Sequence, residues 1–169
     1  TILTLFILSL SILSCATSNL DFQRDARDTF VKIKQNVAIT VCNPADPKEC
    51  LTKTSRSTGS GAVVMRTDEG SYVLTAGHVC SFEKEMQLAS EFAGSKILVQ
   101  MRSVNFSLGE YVSDIVSMDH TIDTCLLFAR NLYTTKVAKI APYSTDVEPG
   151  ERVYNVAAPV GIFYKDVVP

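Results

Sequence analysis

The chain has few histidines and no excess of positive charge. Its 169 residues include only two histidines, His78 and His120, and its formal net charge is −2. No cluster of basic residues and no alternation of basic with aromatic residues occurs, so we expect no nucleic-acid partner. No internal repeat or low-complexity tract stands out either. The length therefore fits one domain of ordinary size, or part of a domain built from two barrels.

The start of the chain is apolar but too short to be a mature membrane span. Ile2–Leu13 is an apolar run of the length typical of the hydrophobic part of an export signal. The first thirteen residues contain no Lys or Arg, although such signals open with positive charge, so we expect N-terminal residues to be missing. Two interpretations stay open: a lipobox-like Ile12–Cys15 that makes Cys15 a lipidated N-terminus, or cleavage after Ala16.

Both interpretations predict an exported protein. It would be periplasmic, a lipoprotein anchored to a membrane through Cys15, or extracellular. We assign residues 1–18 to this signal, residues 19–36 to a polar tether, and residues 37–169 to one domain that is itself incomplete.

β-rich segments separated by turns dominate residues 37–169. The loop Cys42–Cys50 carries two prolines, and the helix-prone segment Ser81–Ser95 is predicted to be a surface insertion attached through Met86, Leu88 and Phe92. The predicted strands are Val37–Cys42, Gly59–Arg66, Ser71–Thr75, Lys96–Val104, Tyr111–Met118, the segment around Leu126 and Leu127, and Arg152–Ala157.

The stretch around His78 is the most informative in the chain. Thr58–Val64 reads TGSGAVV, a polar turn TDEG follows at Thr67–Gly70, and then comes YVLTAGHV. The β-type run ends in small residues immediately before His78. A histidine held at the end of a rigid strand is well placed to act as a base near neutral pH.

These blocks resemble the histidine region of trypsin-like (chymotrypsin-fold) peptidases, particularly the bacterial Deg/Htr-type branch. Asp123 to Leu127 resembles the family's D-x-x-L-L pattern, and Ala158–Gly161 resembles a turn early in the second barrel. The resemblance implies an all-β fold, a chymotrypsin-like antiparallel double β-barrel with its first barrel complete and its second only begun. It implies His78 as general base and Asp123 as the carboxylate that orients it, with Asp119 as the runner-up.

The function implied by the resemblance is serine endopeptidase activity in the full-length exported protein, acting on polypeptide substrates without a cofactor or metal. The family's nucleophile motif, G-x-S-G-G, does not occur between Gly161 and Pro169, so we expect the nucleophile beyond Pro169. Ser60 precedes the histidine and is interpreted as structural. We therefore predict that residues 1–169 alone do not hydrolyse peptides. Two rival hypotheses are a catalytically inactive binding domain and a cysteine peptidase of the same fold.

The cysteines are interpreted last because one pairing depends on the resemblance. If Cys15 is lipidated or removed, four cysteines remain and three pairings are available. A disulfide between Cys42 and Cys50 suits a short loop of an exported protein. Cys80 lies two residues after His78, and Cys125 lies two residues after Asp123. Contact between His78 and Asp123, which the resemblance implies, would therefore bring the two cysteines together. Free buried cysteines, and a zinc site formed by both histidines with Cys80 and Cys125, are the alternatives.

Overall fold

The computed structural model describes residues 26–142 except 44, 93 and 106, together with residues 149–150 and 156–157. Six β-strands make up most of this part, and two short helices lie between the third and fourth. The strands are β1 (Phe30–Asn43), β2 (Asp46–Arg66), β3 (Gly70–Ala76), β4 (Lys96–Asn105), β5 (Gly109–Asp119) and β6 (Thr124–Arg130), and the helices are α1 (Gly77–Cys80) and α2 (Glu83–Ser90).

The six strands close into one antiparallel barrel. Their order around it is β1-β2-β3-β6-β5-β4, and β1 closes the ring by pairing with β4 as well as β2. The predicted all-β class is thereby confirmed, and the closed six-stranded barrel is consistent with the first barrel of a chymotrypsin-like fold. The signal with Cys15 lies outside the described residues, as does nearly all of the predicted second-barrel sequence.

Alternation along β1 forms much of the barrel interior. Val31, Ile33, Val37 and Ile39 are all buried, as expected for every second residue of a strand that faces a core. Burial of each such side chain stabilises the fold by about 1.5–3 kcal/mol. β1 begins at Phe30, which is itself buried, so residues 30–36, predicted to be part of the tether, belong to the barrel.

The segment predicted to be a loop between two cysteines is mostly strand. β1 runs to Asn43 and β2 starts at Asp46. The register shifts between Cys42 and Asn43, and this shift places Cys42 directly opposite Cys50 in the ladder. Among the described strands, β2 pairs with β1 alone until Gly61, which makes this part of β2 an edge. Proline is compatible with an edge strand because its missing N–H breaks no ladder bond there.

The predicted insertion contains α2, and its attachment to the barrel agrees with the prediction only in part. Met86, Leu88 and Phe92 are 37–48% exposed, whereas Ala89 is buried. Leu88 and Phe92 line an open hollow with Ile39 and Val41 of β1, so they face the barrel while staying partly exposed. Within the described ranges, no helix is both long and apolar enough to cross a bilayer.

Candidate active site

The register between β3 and β6 sets the position of His78 and Asp123. The last pair of that ladder joins Ala76 to Thr124. His78 follows Ala76 by two residues, in the helical turn α1, and Asp123 directly precedes Thr124. Since antiparallel strands bring the end of one beside the start of the next, both side chains emerge at the same end of the barrel.

The two side chains are in direct contact. Nδ1 of His78 lies 2.9 Å from Oδ2 and 3.2 Å from Oδ1 of Asp123. The backbone N–H of His78 also donates to Oδ1, at 2.8 Å. With the carboxylate ionised, Nδ1 carries the proton and donates, which leaves Nε2 as the basic nitrogen. Among the described residues, the hydrogen bonds of the imidazole all go to Asp123.

Electrostatics favour the ionised form of Asp123. The hydrogen bond from the His78 side chain, followed by the one from the His78 backbone N–H, lowers the pKa of Asp123 below its ordinary value. Desolvation opposes this only weakly, because the carboxyl side chain is 56% exposed and the imidazole is 73% exposed. An ionised carboxylate at Nδ1 is what a histidine needs in order to act as a base through Nε2.

The same carboxylate also caps the helical turn that carries the histidine. The first N–H groups of a helix have no partner inside it, and a carboxylate near them is favourable. Asp123 accepts from His78 N–H, and the Gly77 N–H contributes to lowering its pKa. Asp123 therefore holds both the side chain and the backbone of its partner.

The turn before β6 presents Asp123 in an uncommon backbone conformation. Its φ is +50°, a region that Asp and Asn tolerate better than most residues. Asp119, the runner-up, accepts from the backbone N–H groups of Thr121 and Ile122 with its Oδ1. Asp119 thus shapes the turn, whereas His120, which is exposed, pairs with Glu83 at 3.5 Å.

Two glycines allow the close packing around α1. A Cβ on Gly77 would lie 3.1 Å from the backbone carbon and from Oδ1 of Asp123. A Cβ on Gly59, in the T-G-S-G block, would lie 2.5 Å from the methyl groups of Val79. Gly59 and Gly77 therefore allow α1 to lie close to β2 and to the turn before β6.

Ser60, the serine of the T-G-S-G block, lies within β2. It is opposite Lys32 of β1, and its carbonyl accepts a hydrogen bond of 2.8 Å from the Thr75 hydroxyl. Both contacts are made by the Ser60 backbone, and the structural role of its side chain stays a prediction.

The four described cysteines form two disulfides. Cys42 is joined to Cys50, and Cys80 is joined to Cys125, with Cα atoms 6.4 Å apart in the second pair. Cys80 and Cys125 are fully buried, and their bond ties α1 to β6 two residues beyond His78 and Asp123. Two disulfides are compatible with an exported protein.

The bond between Cys80 and Cys125 removes both thiolates from the zinc alternative. No group of three or more possible metal-binding side chains occurs in the part of the chain that the structure describes.

One further side chain at the site is not apparent from the motifs. Gln35 of β1 is buried, and its amide nitrogen donates to the carbonyl oxygens of Cys80 and Ser81. The signal in the sequence is a polar residue in the middle of the apolar alternation from Val31 to Ile39.

No family model matches the chain, and no curated protein matches it in sequence. Solved structures that match include the HtrA-type protease AlgW with decapeptide, which is 20% identical with a TM-score of 0.37. The match covers 64% of this chain and 31% of that chain, so the chain spans less than a third of that protein's length. The fold assignment rests on the strand order and register of the barrel itself.

Proposed function

We propose that this chain is the front part of an exported serine endopeptidase of the trypsin-like fold. His78 is the general base, Asp123 orients it, and the nucleophile is a serine in a segment beyond Pro169. Polypeptides are the substrates, and the reaction needs no cofactor. The observation that carries the proposal is the contact of Nδ1 of His78 with the Asp123 carboxylate, 2.9 Å away, while Nε2 faces away from it.

The chemistry follows from that contact. A serine hydroxyl is a weak nucleophile until a base takes its proton, and Nε2 of His78 is the acceptor. The imidazolium that forms is stabilised by the ionised Asp123, whose pKa is held below its ordinary value by the hydrogen bonds from His78. The histidine then returns the proton to the leaving amine.

The pair is exposed to solvent in the part of the chain that the structure describes. The imidazole is 73% exposed, and a solvated base and carboxylate interact more weakly than a pair shielded from water. A second barrel packed against this end would supply the serine, the N–H donors for the oxyanion and the shielding together.

The test uses the complete gene product and an unstructured polypeptide as substrate. We expect peptide-bond hydrolysis and covalent labelling by an organophosphonate that reacts with activated serine. His78→Ala is expected to lose both, with a fall in kcat on the order of 10⁶-fold by analogy with other Ser-His-Asp enzymes. The matched control is His120→Ala, because His120 is the other exposed histidine and its contact is with Glu83.

Other outcomes distinguish the rival functions. Labelling by thiol reagents in place of the phosphonate would identify a cysteine peptidase. Failure of the wild-type protein to hydrolyse the substrate or take up either reagent would refute the proposal and favour a binding domain. Equal losses in His78→Ala and His120→Ala would show that His78 has no special role.

A further inference from the structure

The helical turn that carries His78 is attached to β1 by one buried side chain. Gln35 is 5% exposed. Its Nε2 donates to the carbonyl oxygen of Cys80 at 3.1 Å and to that of Ser81 at 3.2 Å. Its Oε1 accepts from the hydroxyl of Ser57, at 2.9 Å.

The chemistry of these partners fixes the orientation of the amide. A backbone carbonyl can only accept, so the nitrogen end of Gln35 must face Cys80 and Ser81. The Ser57 hydroxyl then donates to the oxygen end. A glutamine flipped by 180° would set its oxygen against two carbonyl oxygens, which repel it.

Gln35 interrupts an otherwise apolar row. The other inward positions of β1 are occupied by Val31, Ile33, Val37 and Ile39. An amide is expensive to bury unless it is hydrogen-bonded. The carbonyls it binds belong to the last residue of α1 and the residue after it, where helix carbonyls have no partner inside the helix.

A turn of four residues has little stability of its own, so external contacts decide where α1 lies. Two of them lead to the same side of the barrel: the Asp123 carboxylate at its first N–H groups, and the disulfide from Cys80 to Cys125. Both attach α1 to β6 and the turn before it. Gln35 attaches the C-terminal end of α1, at Cys80 and Ser81, to β1 on another side.

We propose that Gln35 is a positioning residue for His78. By binding the carbonyls of Cys80 and Ser81, it fixes the rotation of α1 about its contacts with β6. That rotation determines where Nε2 points. The catalytic consequence rests on the proposed peptidase function, whereas the positioning of the imidazole does not.

The test compares Gln35→Met with a matched control in the complete gene product. Methionine keeps the length and burial of glutamine but cannot donate a hydrogen bond. The control is Asn105→Leu: Asn105 is 3% exposed, and its amide donates to the carbonyl oxygens of Asp28 and Phe30, at 3.1 Å each. Its partner in the ladder, Val31, is four residues from Gln35 along β1, or about 13 Å.

Two measurements are made on both variants. The first is steady-state kinetics, where Gln35→Met is expected to lower kcat by about 10²-fold with KM unchanged, as for a small misplacement of a catalytic group. The second is NMR of protein labelled with ¹⁵N-histidine, where the Nδ1–H proton of His78 is expected to exchange with water faster than in wild type. Asn105→Leu is expected to reduce stability but to leave both quantities unchanged.

The two measurements separate this proposal from the peptidase proposal. If the complete protein hydrolyses nothing, the peptidase proposal fails, and the exchange of the His78 proton still decides the role of Gln35. Exchange and kcat that match Asn105→Leu would overturn the positioning role.

Ser57→Ala is the second variant, in case Gln35→Met does not fold. It removes only the hydrogen bond to Oε1, and a smaller change of the same sign is expected. An unchanged exchange rate in Ser57→Ala, if Gln35→Met is unfolded, would also overturn the proposal.

Discussion

The two disulfides are expected to differ in their contribution to stability. Their half-cystines are separated by 8 residues for Cys42 and Cys50 and by 45 residues for Cys80 and Cys125. A cross-link restricts the unfolded chain more when the loop it closes is longer. From these separations, the chain-entropy relation gives about 2.5 kcal/mol for the short loop and about 4 kcal/mol for the long one at 25 °C.

The surroundings of the two bonds widen the difference. Cys80 and Cys125 are fully buried, so their replacement by alanine also leaves unfilled space. Cys42 and Cys50 lie at the far end of the ribbon that β1 and β2 form. Loss of that bond can be absorbed by local fraying, so about 2.5 kcal/mol is its upper limit for global unfolding.

The assay is urea denaturation followed by circular dichroism, with Cys42→Ala/Cys50→Ala compared with Cys80→Ala/Cys125→Ala. We expect the free energy of unfolding to fall by at least about 4 kcal/mol in the second variant and by no more than about 2.5 kcal/mol in the first. The slopes against urea must be compared as well, because an uncross-linked unfolded chain exposes more surface. Equal losses, or a larger loss in the first variant, would refute the reasoning.

Two further predictions concern the contact between His78 and Asp123. Because hydrogen bonds from His78 lower the pKa of Asp123 from 3.8, the ionised carboxylate stabilises the fold above that pH, and this contribution is lost as pH falls through the lowered value. Asparagine tolerates the φ of +50° at this position, so Asp123→Asn should unfold with a lower free energy than wild type at neutral pH. This difference from wild type should shrink as the pH falls and the wild-type carboxylate becomes protonated. Denaturation across a pH series checks this, and a deficit that widens in acid would contradict it. Gly77→Ala sets a Cβ 3.1 Å from the Asp123 backbone; it should cost about 1–3 kcal/mol of stability and, in the complete protein, lower kcat by about 10²-fold. An unchanged kcat would show that the turn absorbs the methyl group without moving Asp123.

The barrel could be predicted from the sequence because the alternation of apolar residues and the positions of the turns agree. Alternating apolar residues mark most strands, and the TDEG turn ends at Gly70, as the hairpin between β2 and β3 does. The extent of the ribbon could not be predicted. Two prolines indicate a loop between Cys42 and Cys50. However, β1 provides a long partner for this edge strand, and the tertiary pairing overrides the local preference.

The candidate site was accessible from sequence only in part. The contact of His78 with Asp123 depends on a ladder between β3 and β6 that spans about fifty residues, and only the family resemblance indicated that the two meet. Gln35 shows the opposite case. Its position in an apolar alternation is visible in the sequence. Its partners, however, are backbone carbonyls, which every residue carries, so the sequence does not indicate which of them it binds.

The closure of the barrel has a consequence for the order of events during folding. β6 pairs with both β3 and β5, so His78 meets Asp123 only after strands far apart in the chain have found their register. Side chains alternate with a period of two along a strand, so a slip of one residue would turn Asp123 away from the imidazole. A chain whose strands are mispaired therefore lacks an oriented base. In the proposed peptidase, the pairing of β6 with β3 would therefore have to precede activation of the nucleophile, because an imidazole without Asp123 beside it is not oriented to act as a base.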